Sequence, residues 1–481
     1  MPYRLLLAVP FLIGIAVLQG LTVEIDTFHG TDARVYQLPT IIQLSERLDL
    51  SDYPSAQTPL YHLVTAGWGE LVGFELWKLR LLNVAISYGM ALALMRLLRR
   101  ATPLGELPAF ALTLAFVLSP YVFGASFTLL TDNLAILFAL VALERIHAYA
   151  RGGSLAAFAL ACVAIGAAVM TRQSALWLVP VAAFFLVAPA LKGGQPGRVG
   201  RIAGVGTRAW RAARVRRIAA GGALLALALV PLAALVIEWN GLVPPSADPA
   251  SCGLCTDRPG VGRDSLTLRT VGFSVALLGM YAALVMGPSL WRRARLLRSP
   301  VVRAAGTALA AVGRGLDAAR SALGPPGSAL GAAGLRPRLP AGLLAGAVAV
   351  AVAIALISPL EYQPPQPGVQ GDAGYLWRLS DELPTVLGTS LLFWLLVPLG
   401  AAAAALLARR AGWTSLPAVY LGAFLLGTLP VNLVYQKYFD PFMLLAVALF
   451  ARPPDLRRPS DYAGVAVICA ASVAYALSFA G

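Results

Sequence analysis

Blocks of about 20 apolar residues recur along the chain, and short polar segments separate them. A block of this length matches a helix that crosses the hydrocarbon core of a bilayer, whereas barrel strands would alternate apolar and polar residues. The pattern therefore predicts an all-α polytopic membrane protein with about 13 transmembrane helices. The predicted spans are residues 5–21, 79–97, 107–123, 128–146, 154–170, 175–191, 218–238, 271–290, 341–358, 385–408, 414–434, 438–451 and 462–480.

Composition excludes a soluble globular protein, since 58% of residues are hydrophobic, 13% are charged and the mean hydropathy is +0.73. The net charge of +15 does not indicate a nucleic-acid partner, because the basic residues lie between apolar blocks and are not interleaved with aromatic residues. The block at 5–21 has no cleavage site after it and is interpreted as the first span.

The distribution of basic residues predicts the orientation in the membrane. With a cytoplasmic N-terminus, 28 Lys and Arg residues lie on the inner side and 10 on the outer side, as the positive-inside rule requires. The acidic residues divide the other way, with 5 inside and 18 outside. We therefore predict one transmembrane domain over 1–481, with basic cytoplasmic loops at 192–217 and 291–340 and a catalytic outer loop at 22–78. This orientation favours the plasma membrane as the location of the protein.

That outer loop concentrates titratable groups just after the first span. It carries Asp26, His29, Asp32 and Arg34. A partly desolvated carboxylate beside cationic groups is suited to accept a proton from an incoming hydroxyl, although acids that only solvate the loop are the alternative. Apolar residues at helical spacing also predict a helix on the membrane surface here. They are Val35, Leu38, Ile41, Ile42, Leu44 and Leu48.

Three more polar positions lie at predicted outer ends of spans. Asp132 opens the fourth span, where helix capping is the simplest explanation. Arg172 lies in a tight turn between two spans, where a guanidinium suits either a lipid phosphate or an ion pair with Asp132. Lys437 lies among aromatic residues, typical of an aromatic belt at the membrane surface. An acidic loop, an arginine and a lysine on one face together fit an anionic lipid carrier.

Five short motifs contain these positions. They are Asp32-x-x-Val35-Tyr36-x-x-Pro39, Thr58-Pro59-Leu60-Tyr61, Leu130-Thr131-Asp132, Arg172-Gln173-Ser174-Ala175-Leu176-Trp177 and Lys437-Tyr438-Phe439. In this order they resemble the GT-C superfamily of polytopic glycosyltransferases, and most closely its dolichyl-phosphate-glucose α-1,2-glucosyltransferases. The first motif is equally similar to that of bacterial lipid-linked sugar and mannosyl transferases in the same superfamily. The motifs are spread over most of the chain.

The resemblance implies an inverting hexosyltransferase of the EC 2.4 class that acts on the extracytoplasmic face and contributes to the cell envelope. The expected partners are a polyprenyl-phosphate-linked sugar donor, a lipid, glycan or protein acceptor, and membrane lipids. Asp32 would be the general base, with Asp26 as its rival, while Arg172 and Lys437 would neutralise the leaving phosphate. The remaining candidates for binding substrate or lipid phosphate are Asp132, Tyr36, His29, Gln173 and Tyr438.

The chain departs from the family pattern in three places. Ala33 replaces the second acid of Asp-Glu, the Gly expected between Pro59 and Leu60 is missing, and Lys437 replaces an Arg. These departures leave the donor sugar open. The sequence implies no particular cofactor, and a divalent cation stays an alternative. Cys252 and Cys255 are expected to form a local disulfide rather than a metal site, since no further ligands are suitably spaced.

Two other classes of function were weighed. A transporter or lipid flippase would show internal repeats and charges near the bilayer midplane, but here the charges lie at outer span ends. A scaffold without catalytic function would not need an acid, an arginine and a lysine on one face. The transferase is therefore the preferred hypothesis, with the transporter as the alternative.

Overall fold

A computed structural model describes residues 2–18, 21, 32–191, 207–245, 267–297, 341–363, 374–431 and 434–477. Apolar segments of this chain fold into helices because a helix pairs its own backbone polar groups, which lipid cannot do. The first half contains α1 Pro2–Leu6, α2 Val9–Val17, a π-helical turn Ala33–Gln37 that continues into α3 Leu38–Glu46, α4 Leu60–Val72, α5 Leu76–Ala101, α6 Glu106–Val117, α7 Pro120–Ser126, α8 Asp132–Gly152, α9 Leu155–Thr171, a 3₁₀ turn Gln173–Trp177 and α10 Leu178–Leu191.

The second half begins with two long helices and ends with shorter ones. Its elements are α11 Thr207–Trp239, α12 Arg269–Leu297, α13 Ala341–Ile357, α14 Tyr375–Asp381, the hairpin strands β1 Thr385–Val386 and β2 Thr389–Ser390, α15 Leu391–Ala411, α16 Leu416–Gly427, a 3₁₀ turn Gln436–Tyr438, α17 Asp440–Phe450, the 3₁₀ turns Pro453–Asp455 and Pro459–Tyr462, and α18 Ala463–Leu477.

Within these described ranges, five helices are long and apolar enough to cross a membrane, or six if the bent pair α6 and α7 forms one span. The five are α5, α8, residues Ala212–Trp239 of α11, residues Arg269–Ser289 of α12, and α15. Every span predicted from sequence overlaps an apolar helix in the structure. The helices other than these five are too short to meet the same length criterion on their own. The mostly helical, integral-membrane class is confirmed, and the count of 13 stays a prediction.

Two predicted spans differ from the helices at their ends. The span at 107–123 is bent by 72° before Pro120, which lacks the amide N–H that a continuous helix needs. The span at 385–408 starts later than predicted, since the hairpin precedes α15. Leu387 and Gly388 form its two-residue turn with φ values of 52° and 70°. Positive φ at both positions is the backbone that such tight hairpin turns require.

The long helices pack closely where small residues meet. The helix α12 packs against α15, while α8 packs between α5 and α9. A side chain at Gly279 would lie 2.6 Å from the Leu396 backbone oxygen, and a side chain at Gly400 would lie closer still to the Val275 backbone oxygen. Glycine is therefore required at this crossing, as is common where membrane helices approach closely.

Charged groups collect at two levels of α8. Asp132 begins the helix, whereas Glu144 lies just past its midpoint, about 18 Å from Asp132 along the axis. Glu144 pairs there with Arg145 and with Arg96 and Arg100 near the end of α5. Asp132 and this basic cluster are therefore well separated along the bundle.

Cys252 and Cys255 lie outside the described residues, so their predicted disulfide is not tested. Cys162 is buried in α9 and Cys469 is half-buried in α18.

Candidate functional site

An ion pair joins the ends of two neighbouring helices. Arg172 follows the last residue of α9, and its guanidinium lies 2.5 Å from an Asp132 carboxylate oxygen at the start of α8. Both side chains are largely buried, with 13% and 17% of their surfaces exposed. The ion pair with Asp132, one of the two alternatives predicted for Arg172, is therefore present in the structure. Asp132 does not cap α8, since Thr131 precedes the helix and no side-chain cap bond forms there.

Tyr438 brings the second cation to this pair. The Arg172 guanidinium lies 4.8 Å from the centre of the Tyr438 ring, and the Lys437 ammonium lies 5.2 Å from the same centre. The two cations are therefore no more than about 10 Å apart. Cations over an aromatic face are held by its negative charge distribution. Arg172, Lys437, Asp132 and Tyr438 form one group, called the charged cluster below.

Asp32 faces this charged cluster from the start of the π-helical turn. Its pKa is raised by burial; the nearby Lys437 and the hydrogen bond from Gln37 oppose that rise, and Asp132 and Arg172 act more weakly in opposite directions. A raised pKa suits a group that must take up a proton during a reaction. The structure thus brings together two carboxylates and two cations from four separate parts of the chain.

The loop before α4 ties these parts together. Thr58 donates its hydroxyl hydrogen to the Val169 backbone oxygen at 2.7 Å, and Gln173 donates to the Ala56 oxygen at 2.7 Å. The Thr131 hydroxyl also donates to the Gln57 side chain. The loop is therefore fixed against the end of α9 and the beginning of α8, where Arg172 and Asp132 lie.

A small cavity lies beside the charged cluster. It has a volume of about 10 Å³, roughly the room that one water molecule needs. A sugar is larger, so a donor that binds here must displace side chains that line the cavity. The lining residues are Tyr121, Val122, Leu130, Asp132, Asn133, Ile136, Lys437 and Pro441.

The other predicted site residues have different positions. The Gln173 side chain donates hydrogen bonds to backbone oxygens and does not face the charged cluster. Tyr36 is 37% exposed on the helical segment after Asp32. Asp26 and His29 lie outside the described residues. Within the part of the chain that the structure describes, no group of three or more His, Cys, Asp or Glu side chains is placed to hold a metal ion.

Sequence reasoning missed three buried polar residues behind Asp32. Gln37, His62 and Tyr53 are 3%, 0% and 0% exposed and form a hydrogen-bonded chain that ends at the Asp32 carboxylate. The available signal was weak: His62 directly follows the Thr-Pro-Leu-Tyr motif, and the chain has only three histidines.

A second missed feature is the buried carboxylate of Asp440, three residues after Lys437. One of its oxygens accepts hydrogen bonds from Tyr281 at 2.6 Å, Tyr375 at 2.8 Å and Gln436 at 3.0 Å. Gln436 precedes Lys437, so this network holds the 3₁₀ turn that carries Lys437 and Tyr438 against α12 and α14. Its role in the site is to position that turn.

The fold and the site together define a polytopic helical membrane protein with a charged, largely buried cluster at one end of its bundle. Residues 56–194 match the family model for dolichyl-phosphate-mannose-protein mannosyltransferases. This match supports a polytopic glycosyltransferase of the GT-C superfamily, as the sequence motifs predicted.

Solved structures with some similarity come from ArnT of Cupriavidus metallidurans. The apo structure has 19% sequence identity and a TM-score of 0.37, and the structure bound to undecaprenyl phosphate has 19% identity and a TM-score of 0.39. In each case 93% of this chain and 77% of that chain are covered. Because both TM-scores are low, nothing about the site of this chain follows from them. No curated protein matches.

Proposed function

We propose that the protein transfers a hexose from a polyprenyl-phosphate-linked donor to an acceptor hydroxyl, with inversion at the sugar C1. The observation that carries this proposal is the placement of Asp32 beside Arg172 and Lys437. A base next to two cations is the arrangement that this reaction needs, because a proton leaves the acceptor while negative charge collects on the departing phosphate.

Asp32 acts on the acceptor. Its ionised carboxylate takes the proton from the acceptor hydroxyl as that oxygen attacks C1 of the sugar. The new bond forms between the acceptor oxygen and C1, and the bond from C1 to the phosphate oxygen breaks on the opposite face. The electron pair of the broken bond stays on the lipid phosphate, so the products are an inverted glycoside, protonated Asp32 and a polyprenyl phosphate.

Arg172 and Lys437 act on the phosphate. The two carboxylates opposite these cations are Asp132, within the charged cluster, and Asp32, which faces it, so the four formal charges sum to zero before the donor binds. The phosphate of the donor brings further negative charge and competes with Asp132 for the Arg172 guanidinium, which can hold two oxygens at once. Preorganised cations at the point where charge develops lower the barrier of the transfer.

We place the site on the extracytoplasmic side of the membrane. The support is the basic cluster around Glu144, which lies about 18 Å from Asp132 along α8 and next to the end of α5, together with the excess of basic residues in the loops predicted to be cytoplasmic. The catalytic loop is then the segment 22–78, within one transmembrane domain.

The test is transfer by purified protein in nanodiscs, using polyprenyl-phosphate-linked glucose, mannose and galactose with a pool of lipid and glycan acceptors. We expect one donor to give a glycoside with the inverted anomeric configuration. A retained configuration would refute the in-line mechanism. No transfer, combined with movement of labelled polyprenyl phosphate across proteoliposome membranes, would favour the transporter alternative.

A further inference from the structure

A chain of hydrogen bonds runs from Asp32 into the protein interior. The Gln37 amide nitrogen donates to an Asp32 carboxylate oxygen at 3.4 Å. The Gln37 amide oxygen lies 2.7 Å from Nε2 of His62, and Nδ1 of His62 lies 2.6 Å from the Tyr53 hydroxyl. This chain of hydrogen bonds therefore joins Asp32, the candidate base, to the fully buried side chains of His62 and Tyr53.

The π-helical turn makes the first link possible. Asp32 and Gln37 are five residues apart, and in a regular α-helix such residues point about 140° away from each other. In a π-helix the turn is wider, and residues i and i+5 lie next to each other. The turn Ala33–Gln37 has this geometry, so the Gln37 amide reaches back to Asp32. Single π-helical turns are rare and are often found at functional sites.

Chemistry sets the direction of every bond in the chain. An ionised carboxylate only accepts hydrogen bonds, so the amide nitrogen of Gln37 must face Asp32 and its oxygen must face His62. That oxygen also only accepts, so His62 carries its hydrogen on Nε2. Burial lowers the pKa of His62 to about 3, which keeps the ring neutral. Its Nδ1 therefore accepts from the Tyr53 hydroxyl.

The inner end of the chain is held rigidly. The Tyr53 ring stacks on Trp239 with ring centres 5.9 Å apart and planes within 6°. The Trp239 indole nitrogen donates to the Leu50 backbone oxygen at 2.7 Å. These contacts hold Tyr53, and the loop before α4 to which it belongs, against the end of α11.

We propose that His62 and Gln37 are positioning residues that hold the Asp32 carboxylate in its ionised, outward-facing orientation for the transfer reaction. This rests on the proposed function, in which Asp32 is the general base. The hydrogen-bonded chain has a single direction while Asp32 is ionised, because a carboxylate only accepts; a protonated Asp32 can also donate, which permits the reverse direction. The charge state of the base is therefore coupled to the position of the hydrogen on a buried, neutral histidine.

The kinetic test compares His62→Leu with His62→Gln and with Thr65→Val. Leucine cannot donate to Gln37, whereas the glutamine amide can, so His62→Gln is the conservative rescue. Thr65 is buried one turn further along α4 and its described hydrogen bonds go to Tyr61, so Thr65→Val removes a buried polar group without touching Asp32, Gln37, His62 or Tyr53.

We expect His62→Leu to lower kcat by about 10- to 100-fold with little change in KM for the donor, since a displaced base affects the transition state. The acidic limb of the kcat profile should also move to higher pH, because the Gln37 bond that favours ionised Asp32 is weakened. The other charges that face Asp32, on Lys437, Asp132 and Arg172, are unchanged in this variant. His62→Gln should recover most of kcat, and Thr65→Val should behave like wild type.

The second readout does not need activity. Nitrogen-15 spectra of histidine-labelled protein contain three histidines, and His62 is identified by the signal that His62→Gln removes. We expect a neutral His62 with hydrogen on Nε2, and a change in its signals in Asp32→Leu, where nothing fixes the direction of the chain. The Thr65→Val spectrum should be unchanged.

Unaltered His62 signals in Asp32→Leu, or wild-type kcat and pH profile in His62→Leu, would overturn the proposal. Hydrogen on Nδ1 in the wild type would overturn the direction of the chain. If no donor is ever transferred but the His62 signals still respond to Asp32→Leu, the transferase proposal fails while the link between His62 and Asp32 stands.

Discussion

The pair of Arg172 and Asp132 offers a direct way to separate a structural ion pair from a phosphate site. Arg172→Ala leaves the Asp132 carboxylate, only 17% exposed, without its cation. Removing one partner of a fully buried pair costs 3–5 kcal/mol, so we expect a loss of about 2–3 kcal/mol for this slightly exposed pair. The double variant Asp132→Asn/Arg172→Ala has no uncompensated charge at either position and should recover most of that stability.

Donor binding should respond differently from stability. If Arg172 binds the lipid phosphate, both Arg172→Ala and the double variant lose a charge-assisted hydrogen bond, which costs about 1.5–3 kcal/mol, or roughly 10- to 150-fold in Kd. The single variant Asp132→Asn frees the guanidinium and should bind polyprenyl phosphate as well as wild type or better. Arg172→Lys keeps the charge without the planar fork and should lie between.

The assay measures Kd for polyprenyl monophosphate in nanodiscs alongside thermal unfolding of the same samples. We expect stability to recover in the double variant while affinity does not. If affinity recovers with stability, Arg172 has a structural role only, and the phosphate site must lie elsewhere. Equal affinity in wild type and all four variants would have the same consequence.

Further predictions follow from packing, topology and charge. Gly400→Val should lower the unfolding temperature by several degrees or prevent folding, because its side chain would collide with the Val275 backbone; Gly422→Val, with nothing near its Cβ, is the packing comparison, and equal unfolding temperatures would contradict the close crossing. In a cysteine-free background, Glu382→Cys should react with a membrane-impermeant thiol reagent in intact cells and Thr414→Cys should not; the reverse would invert the topology. Because burial raises the pKa of Asp32, kcat should fall on acidification at a pH above the ordinary carboxyl value of about 3.9, and a plateau down to that value would exclude Asp32 as the base.

Sequence reasoning located the helical segments because membrane helices are long apolar blocks. It was least accurate where local chemistry interrupts a block. Pro120 bends one predicted span, and a two-residue turn at Leu387 and Gly388 delays another. Neither feature changes the average hydropathy of its segment, so a hydropathy pattern does not detect it.

The charged residues at span ends were also visible in the sequence. Asp32, Asp132, Arg172 and Lys437 stand out because charge is costly near lipid. Their mutual arrangement was not visible, since it depends on how α8, α9 and the turn before α17 meet. The pairing of Arg172 with Asp132 could only be posed as an alternative.

The hydrogen-bonded chain behind Asp32 was out of reach for a specific reason. Helical periodicity assigns Asp32 and Gln37 to different faces, and only the π-helical turn brings them together. Tyr53 belongs to the loop before α4, whose path is set by bonds to distant residues such as Val169, and His62 lies in the helix that follows this loop. A rare backbone geometry and long-range contacts are not encoded in any short sequence pattern.

In the proposed reaction Asp32 is the base of a transfer site and not a structural carboxylate. Asp32→Asn keeps size and polarity but cannot accept the acceptor proton. Burial raises the pKa of Asp32, so the folded protein favours the neutral carboxyl more than the unfolded chain does. The folded protein therefore loses stability as the pH rises through that pKa. Asp32→Asn removes this loss and should unfold at an equal or higher temperature than wild type.

The most direct measurement is therefore single-turnover transfer together with donor affinity in wild type, Asp32→Asn and Asp26→Asn. We predict that Asp32→Asn lowers the transfer rate by roughly two or more orders of magnitude with donor affinity retained, and that Asp26→Asn stays active. Wild-type transfer by Asp32→Asn with an inactive Asp26→Asn would move the base to Asp26. Full activity in both variants would contradict the general-base account altogether.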